Sequence, residues 1–163
     1  MLGNNDQKRG KIVFLNIKDG KILRRDGLAL EEFDFVEGTL EKIYTKEREF
    51  NGERVLYWYI PLRDDNGDLF LMGFPYSSGV FKSIILSLAN DQNLTPLSTI
   101  RIETYYKDGR TKVSVYDKGN KLNWITKDLP PVLERQVGGR TIKDDTSRMV
   151  YISSLVEEIS KRL

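Results

Sequence analysis

The hydrophobic positions of the chain alternate with polar ones over long stretches, and the most apolar alternating run is residues 54–62, RVLYWYIPL. In a strand, Trp58 and Leu62 point to one side, and Tyr57 and Tyr59 point to the other. A strand with one solvated face usually carries polar residues there, so two tyrosines on the second face need another explanation. We therefore expect Tyr57 and Tyr59 to be turned toward solvent on a binding face.

The chain begins with a polar leader, residues 1–10, and continues into a predicted β-hairpin at residues 11–25. Asp19-Gly20 supplies the positive φ angles that a tight hairpin turn requires. A mixed acidic stretch, residues 26–34, separates this hairpin from the strands that follow. We expect the hairpin either to cap the end of a barrel or to pair with a partner.

Three antiparallel strands are predicted next. The first covers residues 35–48 and contains Gly38, which indicates a bulge or a sharp bend. Asn51-Gly52 predicts a hairpin turn into the tyrosine-bearing strand, and Asn66-Gly67 predicts a second turn into a strand at residues 68–75. These strands form a meander.

The pattern becomes helical at residues 77–90, and strands resume at residues 98–107, 110–117 and 121–125. Three strands, a helix and a closing hairpin are the order of the OB-fold, a small five-stranded barrel. The other candidate is a PH-like barrel capped by a carboxy-terminal helix, but the internal helix favours the OB-fold. We predict an all-β protein with accessory helices, its barrel spanning residues 35–126.

The last segment, residues 127–163, is predicted to leave the barrel. Leu129-Pro130-Pro131 and Gly138-Gly139 indicate a linker, and residues 146–163 have a helical pattern. We expect this helix to dock on the barrel, although it or the first hairpin is also a candidate for oligomerisation. The predicted domains are residues 1–34, 35–126 and 127–163.

The composition limits the possible chemistry. The chain has 163 residues, of which 39% are hydrophobic and 31% charged, as in globular proteins. It has no cysteine and no histidine, which excludes disulfides, thiol nucleophiles and imidazole acid–base catalysis. The net charge is only +2, so a basic surface must come from the arrangement of charges. Without a signal-peptide pattern or a run of ~20 apolar residues, we expect a cytoplasmic protein that does not enter a membrane.

Neighbouring acids occur in predicted loops, at Glu31-Glu32, Asp64-Asp65 and Asp144-Asp145. We interpret these pairs as solvated or capping groups, because a metal site needs a third ligand that the sequence does not identify. The glycine-rich residues 137–141, VGGRT, lack the lysine and the strand–loop–helix setting of a phosphate loop. We expect no catalytic activity, no metal and no cofactor.

Aromatic and basic residues alternate on the predicted strands, and this mixture suits single-stranded nucleic acid. Bases stack on flat side chains while cations follow the phosphates, and each stacked base contributes about 1–3 kcal/mol. Some of the aromatic residues are expected in the core, since they are also good strand formers. The candidate nucleic-acid-binding residues are Tyr44, Lys46, Arg48, Tyr57, Tyr59, Arg63, Arg101, Tyr105, Arg110 and Lys112.

The block from residue 35 to residue 116 resembles the OB-fold single-stranded-DNA-binding proteins, particularly the divergent versions of bacteriophages and mobile elements. The resemblance lies in GTLEKIYTKER, RVLYWYIPL, GVFKSIILSLAN and TIRIETYYKDGRTKVSVY. It implies a protein that coats unwound strands in replication, recombination or repair, contacts them through the aromatic and basic face of its barrel, and works with replication or recombination proteins. This chain departs from the family in ending EEISKRL rather than in a disordered acidic tail.

The sequence leaves a second function open. The same barrel can serve as a protein-interaction or assembly module without nucleic-acid binding, because barrels of this type have many functions. A structural component of a phage particle or of a secretion apparatus is the third candidate.

Overall fold

The structure is a computed structural model that describes residues 10–127 and 129–163. These residues form mostly β-structure with two helices, which confirms the predicted class of an all-β protein with accessory helices. The strands are β1 (Ile12–Lys18), β2 (Lys21–Asp26), β3 (Ala29–Phe33), β4 (Phe35–Leu40), β5 (Tyr44–Phe50), β6 (Glu53–Arg63), β7 (Leu69–Pro75), β8 (Thr99–Lys107), β9 (Arg110–Asp117), β10 (Asn120–Lys121), β11 (Leu133–Val137) and β12 (Arg140–Asp144). The helices are α1 (Gly79–Ala89) and α2 (Thr146–Lys161).

One strongly curled sheet contains β1 to β10, in the order β10-β9-β8-β4-β6-β7-β1-β2-β3, with β5 pairing to β6. The curl brings the β1–β2 turn back against the β8–β9 hairpin. There the backbone N–H of Gly20 donates to the Thr111 hydroxyl at 3.0 Å, and a Cβ on Gly20 would lie only 2.6 Å from the backbone nitrogen of Tyr106. Contacts of this kind draw the two ends of the sheet together into a half-barrel.

The first hairpin is part of this sheet rather than an addition to it. Strand β1 pairs in parallel with β7 and antiparallel with β2. The acidic stretch at residues 26–34, predicted to be a separator, contains β3, which pairs with β2 along its whole length. Because β1 occupies the position beside β7, the described residues contain no ladder between β7 and β9 of the kind a five-strand closure would need.

The long strand predicted at residues 35–48 is interrupted, but not at Gly38. Strand β4 ends at Leu40 after pairing with β8 and the end of β6, and β5 begins at Tyr44 and pairs with the first part of β6. Gly38 lies inside β4, where a Cβ would be 2.6 Å from the carbonyl oxygen of Arg63. The glycine therefore permits two strands to approach closely where the sheet turns.

The predicted turns are confirmed in part. Asn51 and Gly52 have φ angles of 51° and 82°, as a two-residue hairpin turn requires. Between β6 and β7 only Gly67 has a positive φ, and the Asp64 carboxylate accepts the backbone N–H groups of Asn66 and Asp68 at 2.9 Å. This connection is a longer loop organised by Asp64, so the second two-residue turn was wrong.

The two helices pack on each other and cover the inner face of the sheet. Helix α1 begins where the hydroxyl of Ser78 accepts the backbone N–H of Phe81 at 3.2 Å and so caps the helix. Phe81 is fully buried and stacks on Trp58 with the ring centroids 4.8 Å apart. The apolar face of α2 is buried, and the helix packs on α1, which lies within the predicted barrel segment; this face consists of Met149, Ile152, Leu155, Val156 and Ile159.

The segment before α2 is not the predicted linker. Strands β11 and β12 form a separate two-stranded sheet whose turn is Gly138-Gly139, both with positive φ. The strand predicted at residues 121–125 is reduced to the two-residue β10. Neither α1 nor α2, within the described part of the chain, is long and apolar enough to cross a membrane.

Candidate functional site

The strand register places all the candidate residues on one face of the sheet, the outer face, away from the helices. Residues directly opposite in an antiparallel ladder share a face, as Tyr44 and Tyr59 do, and Tyr105 and Lys112. The side chain of Trp58 points to the inner face, where it packs on α1. The pairs that connect the outer face from β5 to β9 are Lys46↔Tyr57, Thr39↔Arg63, Glu37↔Arg101, Arg101↔Tyr116 and Lys107↔Arg110.

Four aromatic rings form a continuous group on β5 and β6, the outer aromatic cluster: Tyr44, Phe50, Tyr57 and Tyr59. The rings of Tyr44 and Tyr59 are stacked, with centroids 5.4 Å apart and planes 24° from parallel. Phe50 lies 5.5 Å from Tyr57, and Tyr57 lies 6.5 Å from Tyr59. Ring pairs at such distances attract each other beyond simple area burial, so the cluster is a stable unit.

Tyr59 is covered by its neighbours. Its side chain is only 3% exposed, and the Arg48 guanidinium lies 5.0 Å from its ring centroid while the Arg48 Nε donates to its hydroxyl. The expectation that Tyr59 faces solvent is therefore wrong, and Tyr57 is half-buried. On the adjacent strand, a Cβ on Gly73 would be 3.2 Å from the Tyr59 ring, so the glycine leaves room for the ring to lie against β7.

A groove of about 340 Å³ opens beside the outer aromatic cluster. Phe14 of β1 and Phe50 of β5 stand at its sides with 57% and 47% of their surface exposed, and Tyr44 is 38% exposed nearby. The groove is lined by Phe14, Asn16, Arg48, Phe50, Tyr57 and Tyr59, among others. Phe14 and Phe50 were not among the residues predicted from the sequence, although Phe50 continues the alternation of Tyr44 and Arg48 along β5.

Two candidate arginines are engaged with carboxylates. The Arg63 Nε lies 2.6 Å from Glu41 Oε2, its Nη1 donates to the Gly67 carbonyl oxygen at 2.9 Å, and the hydrogen bond to Glu41 raises the pKa of Arg63. The Arg101 Nε donates to Glu103 Oε1 at 2.8 Å. Both positive charges are thus already balanced by protein acids.

Arg101 is held on its other sides as well. Its guanidinium carbon lies 3.6 Å from the ring centroid of Phe35, a cation–π geometry, and its Nη1 is 3.9 Å from Glu37 Oε2. An aromatic face and two carboxylates leave this guanidinium little freedom to bind another anion.

Other candidate cations are not paired. Lys46, Arg110 and Lys112 take part in no ion pair within residues 10–127 and 129–163. Lys46 lies opposite Tyr57, and Lys112 lies opposite Tyr105, which is 43% exposed. Each unpaired lysine therefore has an aromatic neighbour across the ladder.

The predicted acid pairs have structural roles where the structure shows their contacts. Asp144 accepts the backbone N–H and the hydroxyl of Thr146, and these bonds lower the pKa of Asp144. The hydrogen bond from Lys82, at 3.0 Å, lowers the pKa of Asp145. Among the described residues there is no group of three or more acidic side chains that could hold a metal ion.

The outer face of the sheet therefore combines a stacked aromatic cluster, an open groove beside it and lysines that pair with no carboxylate in the described part of the chain. No family model, no curated protein and no solved structure matches the chain.

Proposed function

We propose that the protein binds single-stranded DNA with little sequence preference, and that it acts in DNA replication, recombination or repair without being an enzyme. The observation that carries the proposal is the groove beside the outer aromatic cluster, which the exposed rings of Phe14 and Phe50 line together with Arg48. Flat exposed rings beside a cation are the pairing that unstacked bases and phosphates need.

In this proposal the candidate residues have different roles, which we assign from their exposure and their ion pairs. Tyr44, Phe14 and Phe50 have exposed rings and are the stacking positions. Tyr57 and Tyr59 form the floor of the groove, where Tyr59 stacks on Tyr44 and Tyr57 packs against Phe50. Phosphates are contacted by cations without a carboxylate partner, namely Lys46, Arg110 and Lys112.

We infer that the chain is a variant of the OB-fold class. In support, the broken strand β4–β5, then β6, β7, α1, β8 and β9 follow each other in the order of that fold, and β8 pairs with β4. The first hairpin adds β1 in parallel beside β7. The outer surface of the β5–β6–β7 strands, together with the β8–β9 hairpin that carries Arg110 and Lys112, is then the nucleic-acid surface.

The test is fluorescence anisotropy of a labelled oligo-dT at low and rising salt. We expect binding that weakens steeply with salt, because phosphate contacts release counterions. Lys46→Gln should weaken binding and reduce the slope of log K against log salt by about 1. The matched control is Arg63→Gln, which removes a cation on the same face that is already paired with Glu41, and should leave the slope unchanged.

Two results would refute the proposal. The first is no binding to oligo-dT at low salt. The second is equal loss of slope in Lys46→Gln and Arg63→Gln, since this would mean that a general charge effect, and not the groove, controls the binding.

A protein-interaction or assembly module is the second candidate, and the edge strand β3 favours it. Among the described residues this strand ends the sheet and pairs only with β2, and it exposes Leu30 and Phe33 beside the fully exposed Leu28 in the preceding turn. An open edge with apolar side chains is suited to pairing with another chain. Light scattering decides this point: a concentration-dependent dimer that Leu30→Lys abolishes supports assembly through the first hairpin.

A further inference from the structure

Two buried carboxylates lie together where α1 and β9 end. Asp91 follows the last turn of α1, and Asp117 is the last residue of β9. Only 4% of Asp91 and 5% of Asp117 is exposed. Asp91 Oδ2 and both carboxylate oxygens of Asp117 have no hydrogen-bond partner in the described part of the chain. Buried polar atoms are almost always satisfied, so three such oxygens in one place require a ligand or a proton.

The two acids are close enough to affect each other. Both line the same cavity at the carboxy-terminal end of α1, and neither carboxylate forms an ion pair within the described residues. Two carboxylates in a poorly solvated position repel each other, and a cation between them offsets that repulsion.

The surroundings supply further oxygen atoms. A cavity of about 400 Å³ adjoins the pair and is lined by Asp91, Asn93, Asp117, Lys118, Asn120 and Leu122. The side-chain amides of Asn93 and Asn120 carry oxygens of the kind that hard cations bind. The carboxy-terminal end of α1 also points its negative dipole end toward this region.

Two protein cations lie near the pair without neutralising it. The Arg162 Nη1 donates to the backbone carbonyl oxygen of Asp91 at 2.5 Å, and it forms no ion pair with either carboxylate among the described residues. Lys118 lines the cavity and is exposed. Both positive charges lower the affinity of this site for a cation, but neither takes the place of the cation between the two carboxylates.

We propose that Asp91 and Asp117 bind a Ca²⁺ ion, with the side-chain oxygens of Asn93 and Asn120 and with water completing its shell. Ca²⁺ takes about 6–8 oxygen ligands in flexible geometry, which fits two carboxylates and two amides on loops better than the strict octahedron of Mg²⁺. The nearby positive charges set the affinity in the weak range, with a Kd of about 10⁻⁴ to 10⁻³ M. This site is independent of the proposed DNA binding.

The experiment is calorimetric titration of the full chain with CaCl₂ in metal-free buffer at pH 7.5, together with thermal unfolding at 0 and 10 mM CaCl₂. We expect one saturable site and a Tm that rises with Ca²⁺. Asp117→Asn should weaken Ca²⁺ binding at least tenfold and abolish the rise in Tm. The matched control is Asp65→Asn, an exposed loop carboxylate whose loss should change neither result.

The stability of Asp117→Asn without Ca²⁺ shows whether its loss of Ca²⁺ binding is specific and not the result of a damaged fold. Without Ca²⁺, this variant should be at least as stable as the original chain, because the repulsion between the two carboxylates is removed. No heat and no Tm shift with Ca²⁺ overturns the proposal, as does binding of Mg²⁺ alone. A chain whose Tm rises as the pH falls below 6 and does not respond to Ca²⁺ also overturns it, because the pair then shares a proton instead.

Discussion

Tyr59 is the residue whose replacement tests most directly how the outer aromatic cluster is built. It is 3% exposed, stacks on Tyr44 and accepts a hydrogen bond from Arg48. Removing a buried aromatic ring costs about 3–5 kcal/mol, and the lower end applies here because the groove lets water enter the space left behind. We expect Tyr59→Ala to lower the free energy of unfolding by about 3 kcal/mol.

Tyr59→Phe separates the ring from its hydroxyl. It keeps the stacking on Tyr44 and loses only the bond from Arg48, so we expect a cost of about 1 kcal/mol. The control is Tyr57→Phe, because the Tyr57 hydroxyl makes no hydrogen bond within the described residues and its loss should cost close to nothing. Urea denaturation followed by the fluorescence of buried Trp58 measures all three variants.

The contrary outcome is a Tyr59→Ala protein that loses less than about 1 kcal/mol of stability while its affinity for oligo-dT falls tenfold, which is 1.4 kcal/mol. Such a result would mean that Tyr59 leaves its place under Arg48 and stacks on a base itself. The assignment of Tyr59 to the floor of the groove would then be wrong.

Three further changes test the fold. Gly38→Ala should lower the free energy of unfolding by about 1–3 kcal/mol, because its Cβ would lie 2.6 Å from a backbone oxygen of β6. Gly79→Ala is the control, because its Cβ would meet nothing within 4 Å among the described residues, and it should not destabilise the protein. Equal losses of stability for the two variants in urea denaturation would contradict this. The pKa of Asp145 is lowered from 3.8 by Lys82, so their ion pair stabilises the fold above about pH 4 and loses its effect as the pH falls further. The stability gap between the original chain and Asp145→Asn should therefore be wide at pH 6 and small at pH 3; a constant gap would exclude the ion pair as its cause. Ser78→Ala should lower the stability of α1 by about 1 kcal/mol, measured by hydrogen exchange of the helix amides. A clearly smaller loss would show that the helix does not need this cap.

Local turn chemistry made much of the strand order predictable. Asp19-Gly20, Asn51-Gly52 and Asp108-Gly109 all have positive φ at both positions, and each joins two strands that the alternation had indicated. Such turns depend only on the two residues at their centre, so they can be predicted directly from the sequence. The helices were predicted for the same reason, because each carries its apolar face in its own sequence.

Pairings between distant parts of the chain could not be read in this way. Strand β1 lies beside β7 only because the sheet curls, and no local pattern encodes a parallel pair more than fifty residues apart. Strand β3, with sequence ALEEF, is an edge strand with four of its five residues exposed, so it has no apolar alternation. The strands β11 and β12 are equally exposed, and Gly138-Gly139 was therefore taken for part of a linker.

At the candidate site, too, local sequence patterns predicted only part of the arrangement. Alternation correctly predicted which side chains share the outer face, because parity along a strand is a local property. It did not predict that Tyr59 is covered, because the covering groups come from β5 and the space beneath comes from Gly73 on β7. Burial on an outer face depends on neighbours that only the register supplies.

The ion pairs on the outer face decide which cations are available to a polyanion. A phosphate that bound Arg63 would have to displace Glu41, and it would exchange one anion for another with little gain. The same holds for Arg101 between Glu37 and Glu103. A lysine without a carboxylate partner keeps only mobile counterions, and releasing them into solution is favourable. A bound strand is therefore expected to follow β5 and the β8–β9 hairpin, where unpaired cations stand opposite tyrosines, and to avoid the paired arginines between them.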